Sequence, residues 1–209
     1  MRSVCALKPG NESPRHLPQR VEDGALVERA RSGDRSAEEL LFRRHVRRVG
    51  AVVSRLIGAH EDVDDLVHDA FLIALCQLDR LREPQAFGGW VMQIAINRVR
   101  QTLRRRKLER ALGLVNNDAV LLSEMAQPGL SPEVQVALRQ IDKALALALP
   151  AQHIAWVLRR VEGYTLDEVA MACDCSLATA KRRIARADKR VEKLASDGSL
   201  ALLVRGNDV

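Results

Sequence analysis

The sequence predicts an all-α protein of two small helical domains joined by a linker, the C-terminal one a helix-turn-helix. Three observations carry that reading. Aromatic residues make up 3% of the 209-residue chain, and β-branched runs are few beside abundant Ala, Leu and Arg. That composition favours helices packed through aliphatic seams over sheets. Apolar residues recur three and four apart over long stretches, the period of a helix with one buried face. Finally, Ser, Thr and Asp stand ahead of those stretches and Gly or Pro between them, where helix caps and stops belong. A hydrophobic share of 47% with 29% charged residues supplies the core of one large or two small soluble domains.

Residues 1–21, with Pro9, Gly10, Pro14 and Pro18 among polar groups, show no helical period and read as a disordered extension. Residues 22–110 form the first domain. It opens near Glu22 with a short helix carrying Leu26, Val27 and Ala30, which stops at Gly33. Asp34 caps a long helix whose seam is Ala37, Leu40, Leu41, His45, Val49, Val52, Val53 and Leu56, and Gly58 ends it. A third helix spans Glu61 to Asp79. Its apolar set Val63, Leu66, Val67, Ala70, Phe71, Ala74, Leu75 and Leu78 nearly fills the helix template, and its outer face is acidic. After a loop over Asp79–Ala86, broken by Pro84, a fourth helix from Phe87 to Lys107 buries Trp90, Val91, Ile94, Ala95 and Val99 and then turns basic.

Residues 111–131, with Asn116, Asn117, Asp118, Pro128 and Gly129, lose the amphipathic pattern and read as a linker. The second domain, 132–195, starts at the Ser131-Pro132 cap and first-turn proline. Pro150 opens another helix, Ala151 to Glu162, ahead of Gly163. Residues 196–209 form a tail whose apolar run Leu200–Val204 suits a small packing helix.

Thr165 to Leu194 reads as two helices. Thr165 and Glu168 form a capping box, with Tyr164 and Val169 at the hydrophobic-staple positions. Ser176 caps the second helix, whose stripe is Leu177, Ala180, Ile184, Ala187, Val191 and Leu194. A rotation of about 100° per residue puts Ala178, Arg182, Arg186 and Lys189 opposite that stripe, with Thr179, Arg183 and Arg190 flanking. A helix N-terminus in a major groove would aim Ala178, Thr179, Arg182, Arg183 and Arg186 at base edges or phosphates, and Lys189 and Arg190 at phosphates.

The formal charge of +6 suits a polyanionic partner, and its distribution says more. Arg98 to Arg110 holds seven bases and one acid, whereas Glu61 to Asp69 holds five acids and no Lys or Arg. Two oppositely charged surfaces imply two kinds of partner. Cys5, Cys76, Cys173 and Cys175 have neither zinc-site spacing nor the density of a disulfide scaffold, which points to a reducing compartment. Cys173 and Cys175 read as small apolar groups at the turn. No apolar run approaches a membrane span and the N-terminus has no signal-peptide core, so a cytoplasmic protein is expected.

With these blocks in order, the chain resembles bacterial RNA polymerase sigma factors of the sigma-70 family, specifically the compact extracytoplasmic-function (ECF) group that keeps the second and fourth conserved regions. The resemblance covers residues 22–108 and 132–194. The family's core-binding helix reads like DAEDLVQEVFL, and Glu61 to Leu72 stands in its place, with His68 where Gln is usual. The resemblance implies that Asp62, Asp65, Leu66, His68 and Asp69 face the clamp helices of the largest polymerase subunit. Phe87, Trp90, Ile94, Ala95, Asn97 and Arg98 match the promoter-melting helix. A −10 site is then implied at Arg82, Gln85, Asn97, Arg98, Gln101, Arg104 and Arg105, cations and polar groups able to hold a separated strand. Trp90 itself reads foremost as core packing.

Tyr164 through Arg186 match the −35-reading region, which implies base or phosphate contacts from Ser176, Ala178, Thr179, Lys181, Arg182, Arg183 and Arg186. Asp174 replaces the usual turn Gly, Ser176 a Pro, and Ala178 a Gly. The implied partners are core RNA polymerase, promoter DNA and an anti-sigma factor, with no cofactor, no metal and no catalytic role. Two rivals remain at this point. One is a stand-alone helix-turn-helix regulator with a helical dimerisation or sensing domain. The other is a metal-dependent phosphohydrolase built on His68-Asp69 with His45 or His60, although the chain has five histidines and no P-loop, GxSxG or HExxH pattern.

Overall fold

A computed structural model describes residues 22–58, 62–113 and 148–195, together with 138, 140–142, 144 and 145. Among these residues there is no strand. Helix α1 spans Asp23–Arg31, α2 Arg35–Ile57 and α3 Asp62–Cys76; 3-10 turns at Leu78–Arg80 and Pro84–Ala86 lead into α4, Phe87–Ala111. Helices α5 (Pro150–Arg160), α6 (Leu166–Ala172) and α7 (Leu177–Ala195) follow. The expectations for residues 1–21, for His60 and Glu61, for the linker from 114 to 131, for the Ser131-Pro132 cap and for Leu200–Val204 lie outside the described residues.

The expected cap signals form. Asp34 accepts from the amides of Ser36 at 2.9 Å and Ala37 at 3.3 Å. The Ser36 hydroxyl first, then Arg29, draws its carboxyl down to about 2. Gly58, at φ +85°, closes α2 with a backbone geometry that L side chains resist. Two points differ from the sequence expectation. Leu40, placed in the α2 seam, is 44% exposed, because Ala37 and Leu41 fill that seam and Leu40 lies a third of a turn round from Leu41. His45 keeps its place in the seam, its ring packing against Gly88 and Phe87 while Nε2 lies 2.8 Å from Asp23 Oδ2. A Cβ on Gly88 would sit 2.7 Å from that ring. Helix α3 ends at Cys76, and Leu78 is buried from a 3-10 turn instead.

The first four helices bury Val27, Leu41, Val53, Leu56, Phe71, Phe87, Val91 and Ile96 between them. Helix α5 is the central post of the second half, with Gln152 through Leu158 all buried. Trp156 Nε1 donates to Asp188 Oδ1 at 2.9 Å and Arg160 reaches Asp188 Oδ2 at 3.2 Å, which fixes α7 to α5. The capping box is complete: Thr165 N donates to Glu168 Oε2 at 2.7 Å, and Glu168 N to Thr165 Oγ1 at 3.2 Å. The Thr165 amide first, then the Thr165 hydroxyl, which donates to the same oxygen at 2.9 Å, hold the Glu168 carboxyl below its ordinary range, and the nearby Arg48 adds to the effect. Asp174 takes φ +48° at the turn, the left-handed geometry that Asp tolerates better than most residues. Ser176 Oγ then accepts from Thr179 N at 3.3 Å, capping α7.

The two halves pack on each other, and one hydrophobic cluster runs from Leu26 to Val191. Arg55 pairs with Glu162 at 2.6 Å. Arg100 donates to the Cys173 carbonyl at 2.8 Å, and Lys107 to that of Ala148 at 3.4 Å. The Arg48 guanidinium lies over the Tyr164 ring, 5.6 Å from its centre.

Candidate nucleic-acid interface

Helix α7 shows its apolar stripe inward through Ala180, Ile184, Ala187 and Val191. Ser176, Ala178, Lys181, Arg182 and Arg186 are exposed on the other side, and Lys181, Arg182 and Arg186 make no ion pair among the described residues. Lys181, Arg182 and Arg186 form a stripe of cations over about one and a half turns. Thr179 is half-buried, its hydroxyl accepting from Ser176 Oγ at 2.9 Å. Arg183 stands apart from this face. It is half-buried, with Nη1 enclosed, and its charge acts on the Cys173 thiol together with that of Arg100. Its position three residues after Ala180 and four before Ala187, both in the seam, is the sequence signal for that inward lean.

The loop and α4 bring together part of the second predicted group. Arg82, Gln101 and Arg104 are exposed, and Asn97 is half-buried. Arg105 is exposed and pairs with Glu109 at 3.5 Å. Gln85 is occupied elsewhere: its Oε1 accepts from Gly24 N at 3.2 Å and its Nε2 donates to Glu22 at 3.0 Å, closing the start of α1. Beside the loop, a cavity of about 470 Å³ is walled by Arg48, Arg82, Trp90 and Gln93 on one side and by Tyr164, Glu168 and Met171 of the second half on the other. Trp90 packs edge-on against Phe87 at 6.4 Å, so it is both core and cavity wall. Arg48, Tyr164 and Met171 were missed by sequence reasoning, since they meet only when the halves pack.

On α3, Asp65, His68 and Leu72 are exposed on one stripe, Leu66 is half-buried beneath it, and Asp65 and His68 have no partner among the described residues. Asp62 and Asp69 are held by α4. Arg106 Nη2 donates to Asp62 at 2.7 Å, and Arg98 Nη2 to Asp69 at 2.9 Å. Arg98, expected to contact nucleic acid, thus meets a residue expected to contact protein. Among the described residues no group of three or more His, Cys, Asp or Glu is placed to hold a metal, and no helix is long and apolar enough to cross a membrane. His45 and Asp69, candidate ligands in the phosphohydrolase reading, are engaged with Asp23 and Arg98 respectively.

Residues 41–109 match the Sigma-70 region 2 family. The chain is 31% identical over 188 residues to the ECF RNA polymerase sigma-E factor of Escherichia coli K12, covering 84% of this chain and 95% of that protein. It is 27% identical over 192 residues to the factor of the same name from Haemophilus influenzae. The fold is shared with the sigma factor RpoE of Bartonella quintana, solved with the anti-sigma factor NepR, at a TM-score of 0.56 and 22% identity over 76% of this chain and 96% of that one. It is also shared with CnrH, solved with the cytosolic domain of CnrY, at a TM-score of 0.57 and 24% identity over 85% of this chain and 99% of that one. An acidic helix, a Trp-bearing basic helix and a capped terminal helix pair, in that order and matched along nearly the whole length of a relative, place this chain in the ECF family of RNA polymerase sigma factors.

Proposed function

We infer that this chain binds core RNA polymerase and directs promoter-specific initiation of transcription, reading a −35 element with α7 and a −10 element with the 81–86 loop and α4. The observation that supports this most is the 31% identity sustained over 84% of this chain and 95% of a sigma factor. In this reading 22–110 is the polymerase-binding and melting domain, 111–131 the linker and 132–195 the −35 domain. The tails 1–21 and 196–209 flank them.

Helix α3 docks on polymerase through Asp65, His68 and Leu66, with Asp62 and Asp69 at the edge of the same surface. An exposed acidic stripe over an apolar body suits a basic coiled-coil partner. Arg82, Asn97, Arg98, Gln101, Arg104 and Arg105 hold the separated strand, and Ser176, Ala178, Thr179, Lys181, Arg182 and Arg186 meet the upstream duplex. Melting is driven by holding the opened strand, so the chain needs no catalytic group of its own. Two weak readers on one polymerase gain avidity that neither has alone. The protein acts in the cytoplasm, where core polymerase works. A protein of the anti-sigma class is its expected antagonist, since the Bartonella quintana sigma factor that shares its fold was solved with one.

The test is transcription in vitro with purified core polymerase, on promoters found by mapping start sites after overexpression. The expected result is initiation that needs both proteins and is lost with Asp65→Lys while the far-ultraviolet circular dichroism stays unchanged. Tight promoter binding without polymerase would instead favour the stand-alone regulator.

A further inference from the structure

Asp69 and Arg98 were expected on two different surfaces, one facing polymerase and one facing DNA, yet they form a single ion pair of 2.9 Å between α3 and α4. The pair is half-open to water, its side chains 49% and 36% exposed. Arg98 Nε is enclosed without a hydrogen-bond partner among the described atoms, so the stem is held in the α3–α4 seam while the head leans on Asp69. Its other contact, with Gln101 Oε1, is long at 3.5 Å. In this state the Arg98 charge, near the middle of α4, is neutralised. By contrast Arg104, six residues further along α4, has no partner among the described residues.

We propose that Asp69 masks Arg98 in the free chain, and that a basic partner docking on α3 takes over the Asp69 carboxylate and releases the Arg98 guanidinium to a DNA phosphate. This rests on the reading of α3 as the polymerase-docking face and α4 as a strand-holding face, and it deepens that reading by naming how one surface switches the other. The exchange is inexpensive, because an ion pair this exposed is worth little in water and breaks readily. The acids beside it, Asp64 and Asp65, are exposed on the same helix, so a basic partner arrives where Asp69 already stands. Reciprocity follows: whatever polymerase docking adds to strand binding, strand binding adds to docking.

The experiment measures binding of a fluorescein-labelled single-stranded DNA of mixed sequence to the full chain, as a function of salt. Asp69→Asn is expected to bind about fivefold more tightly than the unaltered chain, and its log–log salt dependence to steepen by about 0.7, one unmasked charge on a single strand. Asp65→Asn, which changes net charge equally but frees no arginine, is expected to leave the slope alone. Asp69→Glu, which keeps the pair, is expected to behave as the unaltered chain, and adding Arg98→Gln to Asp69→Asn should cancel the gain. Saturating core polymerase should close the gap between the unaltered chain and Asp69→Asn. If Asp69→Asn merely matches Asp65→Asn, or the gap persists with polymerase bound, the masking is overturned. If neither Arg98→Gln nor Arg104→Gln weakens strand binding under any condition, it is the nucleic-acid reading of α4 that fails.

Discussion

His153 lies on α5 with its ring enclosed and Nε2 without a partner among the described atoms, and burial pushes its pKa from 6.5 down to about 4. The folded protein therefore keeps the ring neutral where the unfolded chain already takes up a proton. The contribution is intact above pH 6.5 and is lost as pH falls toward 4, by at most roughly 3 kcal/mol. Urea midpoints at pH 7 and 4.5 should show this loss, and His153→Phe should remove most of it; equal losses in both proteins would mean another group is responsible. Asp34 titrates lower, near 2, so its contribution falls away only in stronger acid. Burial acts on Cys173 in the opposite sense, lifting its thiol to about 11, with Cys175 adding to the rise and Arg100 and Arg183 opposing it. A thiol so protonated is a poor nucleophile. Iodoacetamide should alkylate the exposed Cys76 well before Cys173, which should react only on unfolding, as peptide mass mapping over time would reveal.

At the scale of elements, α5 and α7 are joined by Asp188, which accepts from both Trp156 and Arg160. Asp188→Ala leaves an indole N–H and a guanidinium without their acceptor, and should cost about 1–3 kcal/mol in denaturant titrations without altering helix content. On the outer side of α7, Lys181→Gln and Arg182→Gln should each flatten the salt dependence of duplex DNA binding by about 0.9, whereas Arg183→Gln, turned toward α4 and α6, should not. The helices themselves were legible in the sequence wherever period and cap agreed: Asp34, the Thr165–Glu168 box and Ser176 all cap the predicted helices. What sequence missed were pairings between elements. Nothing in the local pattern says that Gln85 closes α1, that Asp23 holds His45, or that Arg98 leans on Asp69, because each joins residues 22 or more positions apart. Leu40 shows the related limit, since at helical spacing the edge of a seam cannot be told from its centre without the facing helix.

At the scale of the whole molecule, composition and order gave two helical halves, but not that they would close on each other. Arg55–Glu162 is an ion pair across that closure, with the Glu162 side chain only 12% exposed. Glu162→Lys should loosen it, seen as a larger radius of gyration by small-angle scattering. Combining it with Arg55→Glu should restore the compact form, with a coupling of roughly 1–3 kcal/mol; failure of the swap to restore it would show that the pair does not hold the halves together.

The shared cavity gives this closure a quantitative consequence. A nucleotide lodging against Trp90 and Arg82 meets Tyr164, Glu168 and Met171 on the opposite wall. If a strand enters only with α6 withdrawn, the apparent dissociation constant is the intrinsic one divided by the population of such chains. A chain open one time in about a hundred binds about a hundredfold more weakly than its contacts allow, and any partner that holds the halves apart restores that factor without adding a contact to the strand.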